Sequence, residues 1–305
     1  MKKFIVTGGA GFIGSNIALT LQERFPEADI TVIDNFSSGS YENLIGFQGD
    51  VVAQNVVECD FEKYFGDGVD AIFHEGAITD TTVFDQQRMM RENVEGFRNV
   101  LVYALKHNAR LVYASSAAIY GHSRPPMKVG ANETPANIYG FSKFVVDNIA
   151  RKYFAGAQAP IIGLRYFNVY GPGEKYKGKM ASMIWQLGQQ MKRGQRPRIF
   201  KDGEQKRDQV YIKDVVAANM LALDATKSGI VNVGTGKATS FNEIVGALNH
   251  VLKTSLEPDY IENPYAHYQD YTEADITTTM RALGYAPQYD IVKGVGDYFA
   301  ATNFE

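Results

Sequence analysis

Tyr139 and Lys143 stand four residues apart in Tyr139-Gly140-Phe141-Ser142-Lys143, a spacing that puts both side chains on one face of a helix. A free phenol loses its proton near pH ~10 and is a poor base at neutral pH. An ammonium one helical turn away stabilises the phenolate and lowers that pKa. The pair can then exchange a proton with a substrate hydroxyl. Ser116, in Ser115-Ser116-Ala117-Ala118, is a candidate to hydrogen-bond the same hydroxyl. Alone, Y-x-x-x-K is a common helical pattern and reads equally as an aromatic–lysine pair on an exposed face. Its weight comes from a second constellation. Gly8, Gly11 and Gly14 form G-x-x-G-x-x-G between the apolar run Phe4-Ile5-Val6-Thr7 and an apolar face through Ile17, Leu19 and Leu21. Strand, glycine turn and helix bring backbone against a diphosphate. A side chain there would block the approach, and the helix N-terminus offers N–H groups and a positive dipole. A second apolar run ends in Asp34, 20 residues past Gly14, where an acid holds a ribose hydroxyl in such motifs. The residues therefore point to a bound dinucleotide beside a proton-transfer pair.

Alternating elements must carry these residues. Strands are predicted at 4–7 and 30–33, within 51–57 (with Asp60 at its end), at 71–74 before Glu75-Gly76-Ala77, at 111–114 running into Ser115-Ser116, and at 161–166. Helices are predicted over 89–106 and 139–154. This alternation predicts an α/β fold, a Rossmann-like doubly wound parallel sheet with its ligands at the carboxyl ends of the strands. Beyond residue 170, Gly171-Pro172-Gly173 breaks the pattern. Helices then read at 181–191, 211–225, 241–253 and 291–301, and short strands at 197–200 and 230–233. The expected division is a dinucleotide-binding domain over 1–170 and a smaller substrate-binding lobe over 171–305, with a soft boundary across which segments interleave.

The 305-residue chain is 45% hydrophobic and 21% charged, the composition of a soluble globular protein long enough for this arrangement. Its net charge of −3 argues against a nucleic-acid partner. The single cysteine, Cys59, fits a reducing compartment and a cytoplasmic location. The apolar run after Met1-Lys2-Lys3 is too short for a signal peptide, and no apolar stretch is long enough to span a membrane. Nothing calls for a metal. Between Glu174 and Asp208, ten lysines and arginines accompany four acids, a balance suited to a phosphate-rich substrate. An arginine of this segment would pair bidentately with a diphosphate.

The motifs TGGAGFIG, Asp34-Asn35, Ser116, YGFSK and Arg165-Tyr166-Phe167-Asn168-Val169-Tyr170-Gly171-Pro172 span most of the chain. Through them the chain resembles the extended short-chain dehydrogenase/reductases, the family of nucleotide-sugar epimerases and dehydratases. The resemblance implies a nicotinamide cofactor, hydride transfer at a sugar carbon and a C-terminal lobe for the nucleotide-sugar. It places the cofactor against Gly8, Gly11, Phe12, Ile13 and Gly14, against Asp34, Asn35 and Asp60, and against Glu75, Gly76 and Ala77. Asn93, Tyr139, Lys143 and Val169 complete that set. Further segments are Phe73-His74-Glu75-Gly76-Ala77, Met89-Met90, Lys177-Gly178-Lys179-Met180-Ala181-Ser182 and Tyr268-Gln269. They resemble the branch of the family that inverts C-6 of ADP-D-glycero-D-manno-heptose, supplying the heptose of the lipopolysaccharide inner core.

In that branch the carbinol is oxidised to a carbonyl, and hydride returns to the opposite face, so two acid/base groups are needed. The resemblance assigns these to Tyr139 and Lys177, with Lys143 and Ser116 assisting. It assigns substrate contacts to Ser116, Asn168, Lys179, Gln186, Arg207 and Tyr268, and to the turn Phe200, Lys201, Asp202 and Gly203. The chain departs from the branch where Tyr176 replaces a histidine just before Lys177 and where Gln186 replaces a substrate-contacting histidine. Asp34 favours NAD by charge, whereas the branch mostly carries NADP. Here Ser37-Ser38-Gly39-Ser40 lacks the lysine that helps hold the 2′-phosphate. NADP is the expectation, with NAD second. A homo-oligomer, a pentamer by resemblance, is also expected. The alternatives are a 4-epimerase or dehydratase of another nucleotide-sugar, and a cofactor-binding sensor without turnover. The intact Tyr139–Lys143 pair speaks against the sensor, and the absence of a carboxylate at Ser115-Ser116-Ala117-Ala118 speaks against dehydration.

Overall fold

The structure, a computed structural model, describes residues 1–263 and 270–304. Tyr268 and Gln269 lie outside the described residues. The first half alternates β1 (Lys3–Thr7), α1 (Phe12–Arg24), β2 (Asp29–Asp34), β3 (Asp50–Ala53), α2 (Phe61–Phe65), β4 (Ala71–His74), α3 (Gln86–Met90), α4 (Gly96–His107), β5 (Arg110–Ser116), α5 (Ile138–Arg151) and β6 (Ile161–Tyr166). The second half contains β7 (Asn168–Tyr170), α6 (Met183–Lys192), β8 (Arg198–Phe200), β9 (Lys206–Tyr211), α7 (Ile212–Ala222), β10 (Gly229–Val233), β11 (Ala238–Ser240), α8 (Phe241–Leu252), β12 (Asp259–Ile261), α9 (Thr277–Leu283) and α10 (Ile291–Thr302).

Among the described residues, seven parallel strands form the main sheet in the order β3-β2-β1-β4-β5-β6-β10. The order reverses between β1 and β4, the switch point where open α/β sheets bind ligands. The sheet is covered on both faces, so alternate residues of a strand enter different cores. Phe4 and Val6 of β1 join Ile17 and Leu21 of α1, while Ile5 joins Phe97 and Leu101 of α4 and Val146 and Ile149 of α5. Two small sheets flank this body, β11-β9-β7 and β12-β8.

The doubly wound parallel sheet agrees with the sequence expectation, and its last strand, β10, comes from beyond residue 170. The third strand, expected within 51–57, begins at Asp50 and stops at Ala53. Asp60 does not end it: its carboxylate caps α2 by accepting from Lys63 N at 3.1 Å. The predicted helix over 89–106 contains a π-helical turn at Arg91–Glu95 between α3 and α4. β9 is absent from the sequence expectation because Lys206-Arg207-Asp208-Gln209 carries no apolar alternation. Pairing with β7 and β11, not local pattern, makes it a strand. Among the described residues no helix is long and apolar enough to cross a membrane.

Candidate active site

The glycine turn sits at the switch point between β1 and the end of β4. Gly8 has φ +64°, and an added Cβ would lie 2.5 Å from Gly76 N. A Cβ on Gly14 would lie 2.3 Å from Gly8 O, so α1 packs directly on the turn. Gly11 precedes the first residue of α1, and no side chain caps that end. The turn and the uncapped helix start form a cradle that suits a diphosphate. Behind it, Thr7 Oγ1 lies 2.7 Å from His74 Nδ1 and accepts from Gly76 N at 3.3 Å. His74 is buried, and burial, assisted by Lys143, pushes its pKa down to about 3. The ring is therefore neutral and serves to fasten the β4 loop to β1.

Asp34 is buried at the end of β2 and turns back into the turn, accepting from Ala10 N at 2.9 Å and Phe36 N at 2.7 Å. Burial raises its pKa, and those two hydrogen bonds oppose the rise. Asn35, Ser37 and Ser38 follow, exposed. Asn93, in the π-helical turn, spends its amide within the protein. It accepts from Ile78 N at 2.8 Å and donates to Ile78 O at 3.0 Å and Ser142 Oγ at 2.9 Å. It thus ties the loop carrying Gly76 and Ala77 to α5. A π-helical turn is a frequent feature of functional sites because it re-aims one side chain.

Tyr139 and Lys143 start α5, whose N-cap Asn137 accepts from Gly140 N at 2.8 Å. An added Cβ on Gly140 would lie 2.5 Å from Ala118 O. Only glycine lets α5 approach the turn that follows Ser116, and this approach brings Ser116 into hydrogen-bonding contact with the Tyr139 phenol. One expectation needs correction. The Tyr139 pKa is raised: burial is the largest cause, Glu75 adds to it, and only the Ser116 hydrogen bond opposes it. Lys143 Nζ donates to Ala114 O at 2.9 Å. Burial brings the Lys143 pKa down to about 8 against the pull of Glu75 and Asp147. Asp147, one further turn along α5, pairs with the fully buried Arg165, whose NH2 lies 2.7 Å from its carboxylate.

Lys177 lies in the 3₁₀ segment Glu174–Met180, with Nζ 5.5 Å from the centre of the Phe12 ring at the start of α1. Burial lowers its pKa, and Glu174 opposes that. The segment is held by Glu174, which is fully buried and accepts from Gly171 N at 3.1 Å and Ser182 Oγ at 2.9 Å. The Tyr176 hydroxyl donates to Glu42 and so ties the segment to the loop after β2. Lys177 thus enters over the cradle from the lobe side. Lys179 is exposed nearby, and Gln186 donates to Ala181 O at 2.8 Å, supporting this segment.

The remaining expected contacts spread along the lobe. Asn168 is exposed and Val169 half-buried at the start of β7. Phe200, Lys201, Asp202 and Gly203 form a tight turn closed by Gly203 N donating to Phe200 O at 2.8 Å. Arg207 is half-buried on β9, beside Asp208, whose buried carboxylate accepts from the N–H groups of Thr235, Gly236 and Ala274. Lys192, Arg196 and Arg198 are spent on Asn303 O, Glu257 O and Asp259 respectively. Sequence reading missed Glu174, His74 and Gly140 as organising residues. Only Asp147 had a legible signal, its place on the Tyr139–Lys143 helical face.

The "NAD dependent epimerase/dehydratase family" model matches residues 4–234. The chain is 42% identical to the ADP-L-glycero-D-manno-heptose-6-epimerase of Helicobacter pylori, covering 98% of this chain and 96% of that one, with a TM-score of 0.93. It is 29% identical to the UDP-glucose 4-epimerase of Thermotoga maritima, with 99% of each chain covered and a TM-score of 0.88. To the UDP-N-acetylglucosamine 4-epimerase of Methanobrevibacter ruminantium the identity is 27%, with 98% of each chain covered and a TM-score of 0.89. With its glycine cradle at the switch point and this extent of matching, the chain belongs to the NAD dependent epimerase/dehydratase family.

Proposed function

We propose that this protein is an isomerase that inverts C-6 of ADP-D-glycero-D-manno-heptose to the L-glycero epimer. The observation that carries the substrate is the higher identity, over nearly the whole chain, to a heptose 6-epimerase than to the UDP-sugar 4-epimerases. C-6 of a heptose has a carbon on each side, so its oxidation gives a ketone. When bound, the nicotinamide supplies reversible hydride exchange. This chain's residues do the rest. Tyr139, hydrogen-bonded to Ser116, donates and accepts the hydroxyl proton on one face. Lys177, entering from the lobe with its ammonium weakened by burial, does so on the other. Lys143 holds the cofactor ribose, and Asn168, Lys179, Gln186, the turn 200–203, Arg207 and Tyr268 hold the ADP-sugar. Incubation with ADP-D-glycero-D-manno-heptose, followed by NMR of C-6, tests this reading. Turnover of a UDP-sugar instead would refute it.

The cofactor in this proposal is NADP. Both oxygens of Asp34 are engaged by backbone N–H groups, which tempers its repulsion of a 2′-phosphate, and the exposed Asn35, Ser37 and Ser38 offer donors. Mass spectrometry of the cofactor released on denaturation would overturn this if it found only NAD. A homo-oligomer, a pentamer by resemblance, completes the proposal. Light scattering that reports a monomer at micromolar concentration would refute it.

A further inference from the structure

Lys177 belongs by sequence to the lobe, yet the segment that carries it is fastened to the dinucleotide-binding body at several points. At its start, Asn16 Nδ2 on α1 donates to Pro172 O at 3.1 Å and to Phe12 O at 2.8 Å. Phe12 is the residue over whose ring the Lys177 ammonium rests. At its middle, the Tyr176 hydroxyl donates to the Glu42 carboxylate. Glu42 lies in the loop after β2, and that loop is itself pinned to the glycine turn. Ser40 N and Asn43 Nδ2 donate to Ala10 O at 2.9 and 3.1 Å respectively. The Ser40 hydroxyl accepts from Glu42 N at 3.3 Å, which fixes the backbone of the acid. At its end, Ser182, the N-cap of α6, donates to the buried Glu174 at 2.9 Å. Packing alone does not hold the stretch between these anchors. A cavity of about 260 Å³, walled by Asn43, Gly173, Tyr298 and Thr302, lies beside the Tyr176–Glu42 bond.

We propose that Tyr176 is a positioning residue for Lys177: its bond to Glu42 locks the segment onto the glycine-turn frame, so that the second acid/base group stays in register with the dinucleotide rather than with the lobe. A phenol donating to a carboxylate makes a charge-assisted hydrogen bond with a defined direction. Lys177 is the next residue, so a swing of the Tyr176 backbone carries the ammonium off the Phe12 ring. Register matters because an acid/base group works only within hydrogen-bond reach of the proton that it moves. A displacement of about 1 Å can cost ~100-fold in rate. In the proposed site the glycine turn also fixes the dinucleotide. Fastening the amine to the same turn through Glu42, Ser40 and Asn43 makes the two move together, whatever the lobe does.

The proposal rests on the role given to Lys177 above, and its first readout is independent of that role. Tyr176→Phe removes the hydroxyl and keeps the ring, against which Lys175 Nζ sits at 4.9 Å. Glu42→Ala removes the acceptor, and Glu42→Gln keeps one. The first readout needs no substrate: it is the rate at which N-hydroxysuccinimidyl acetate acetylates Lys177 in the holoenzyme, followed by mass spectrometry. Lys175 and Lys179, exposed in the same segment, and Lys143, buried on α5, are the controls. Lys177 should react about 3–10-fold faster in Tyr176→Phe and in Glu42→Ala, as for the loss of one hydrogen bond of ordinary net strength, with the three controls unchanged. Glu42→Gln should match wild type. The second readout is the kinetics of ADP-heptose epimerisation. The kcat should fall about 3–10-fold in Tyr176→Phe, in Glu42→Ala and in their double variant alike, with KM unchanged. Acetylation of Lys177 at the wild-type rate in Tyr176→Phe would overturn the proposal. So would equal losses in Glu42→Gln and Glu42→Ala, or losses that multiply in the double variant. If Lys177→Met epimerises at the wild-type rate, the catalytic role of Lys177 fails while the acetylation rates still decide what holds it. If Tyr176→Phe does not fold, the contrast between Glu42→Ala and Glu42→Gln decides it.

Discussion

The three glycines of the turn should separate when each is replaced by alanine, because a methyl group meets something different at each. At Gly8 the backbone φ of +64° costs a non-glycine residue about 1–2 kcal/mol. The new Cβ would also lie 2.5–2.8 Å from three backbone atoms of Glu75 and Gly76, and such overpacking costs about 1–3 kcal/mol. Gly8→Ala should therefore destabilise the protein by roughly 2–5 kcal/mol. Gly14→Ala, whose Cβ would lie 2.3 Å from Gly8 O, should cost about 1–3 kcal/mol without the φ penalty. Gly11 differs. Its φ of −77° and ψ of 176° suit any residue, and its Cβ would meet only Gly8 O, at 3.0 Å. Gly11→Ala should leave stability within about 1 kcal/mol of wild type. Its methyl group would nevertheless stand at the mouth of the cradle, so dinucleotide affinity should fall about tenfold or more, or 1.4 kcal/mol. Thermal melts and fluorescence titration with the reduced dinucleotide read the two quantities separately. A folded Gly11→Ala protein that binds the dinucleotide as tightly as wild type would refute the placement of the diphosphate at this turn.

Tyr139→Phe and Lys177→Met should each cut kcat by about 10²–10⁴-fold with cofactor binding intact. The double variant should be hardly slower than the worse single one, because either loss breaks the cycle. Near wild-type epimerisation by Lys177→Met would demote that lysine and make Lys179 the next candidate. His74 binds its proton in the unfolded chain near pH 6.5 but in the fold only near pH 3, so its contribution to stability is complete above 6.5 and falls with acid. Below pH ~6 wild type should lose about 1.4 kcal/mol per pH unit more than His74→Gln, as read by denaturant unfolding. Asp147→Ala removes one of the two carboxylates that pair with the buried Arg165, leaving Glu133, and should cost about 1.5–3 kcal/mol in a thermal melt.

Much of the sheet was legible because its strands are buried on both faces and read as apolar runs. Ala71–His74 and Ile161–Tyr166 match their predicted ranges. The small strands were less legible. β7 and β11 are three residues long and β9 opens on Lys206-Arg207-Asp208, and the three hold together by pairing with one another. Asp60 shows the limit of reading position alone. An acid after a strand and an acid before a helix look the same in sequence, and only the hydrogen bond to Lys63 N distinguishes the cap.

The sequence by itself determined the alternation, the glycine turn and the helical face that joins Tyr139 to Lys143, because these follow from local sterics and from periods of two and 3.6 residues. Tertiary structure decided what those groups feel. Lys143 turns to Ala114 O, the phenol is raised by burial and by Glu75, and Lys177 comes to rest over Phe12. Desolvation and charge depend on which distant segments arrive beside a group, and that proximity is created only when the chain is folded.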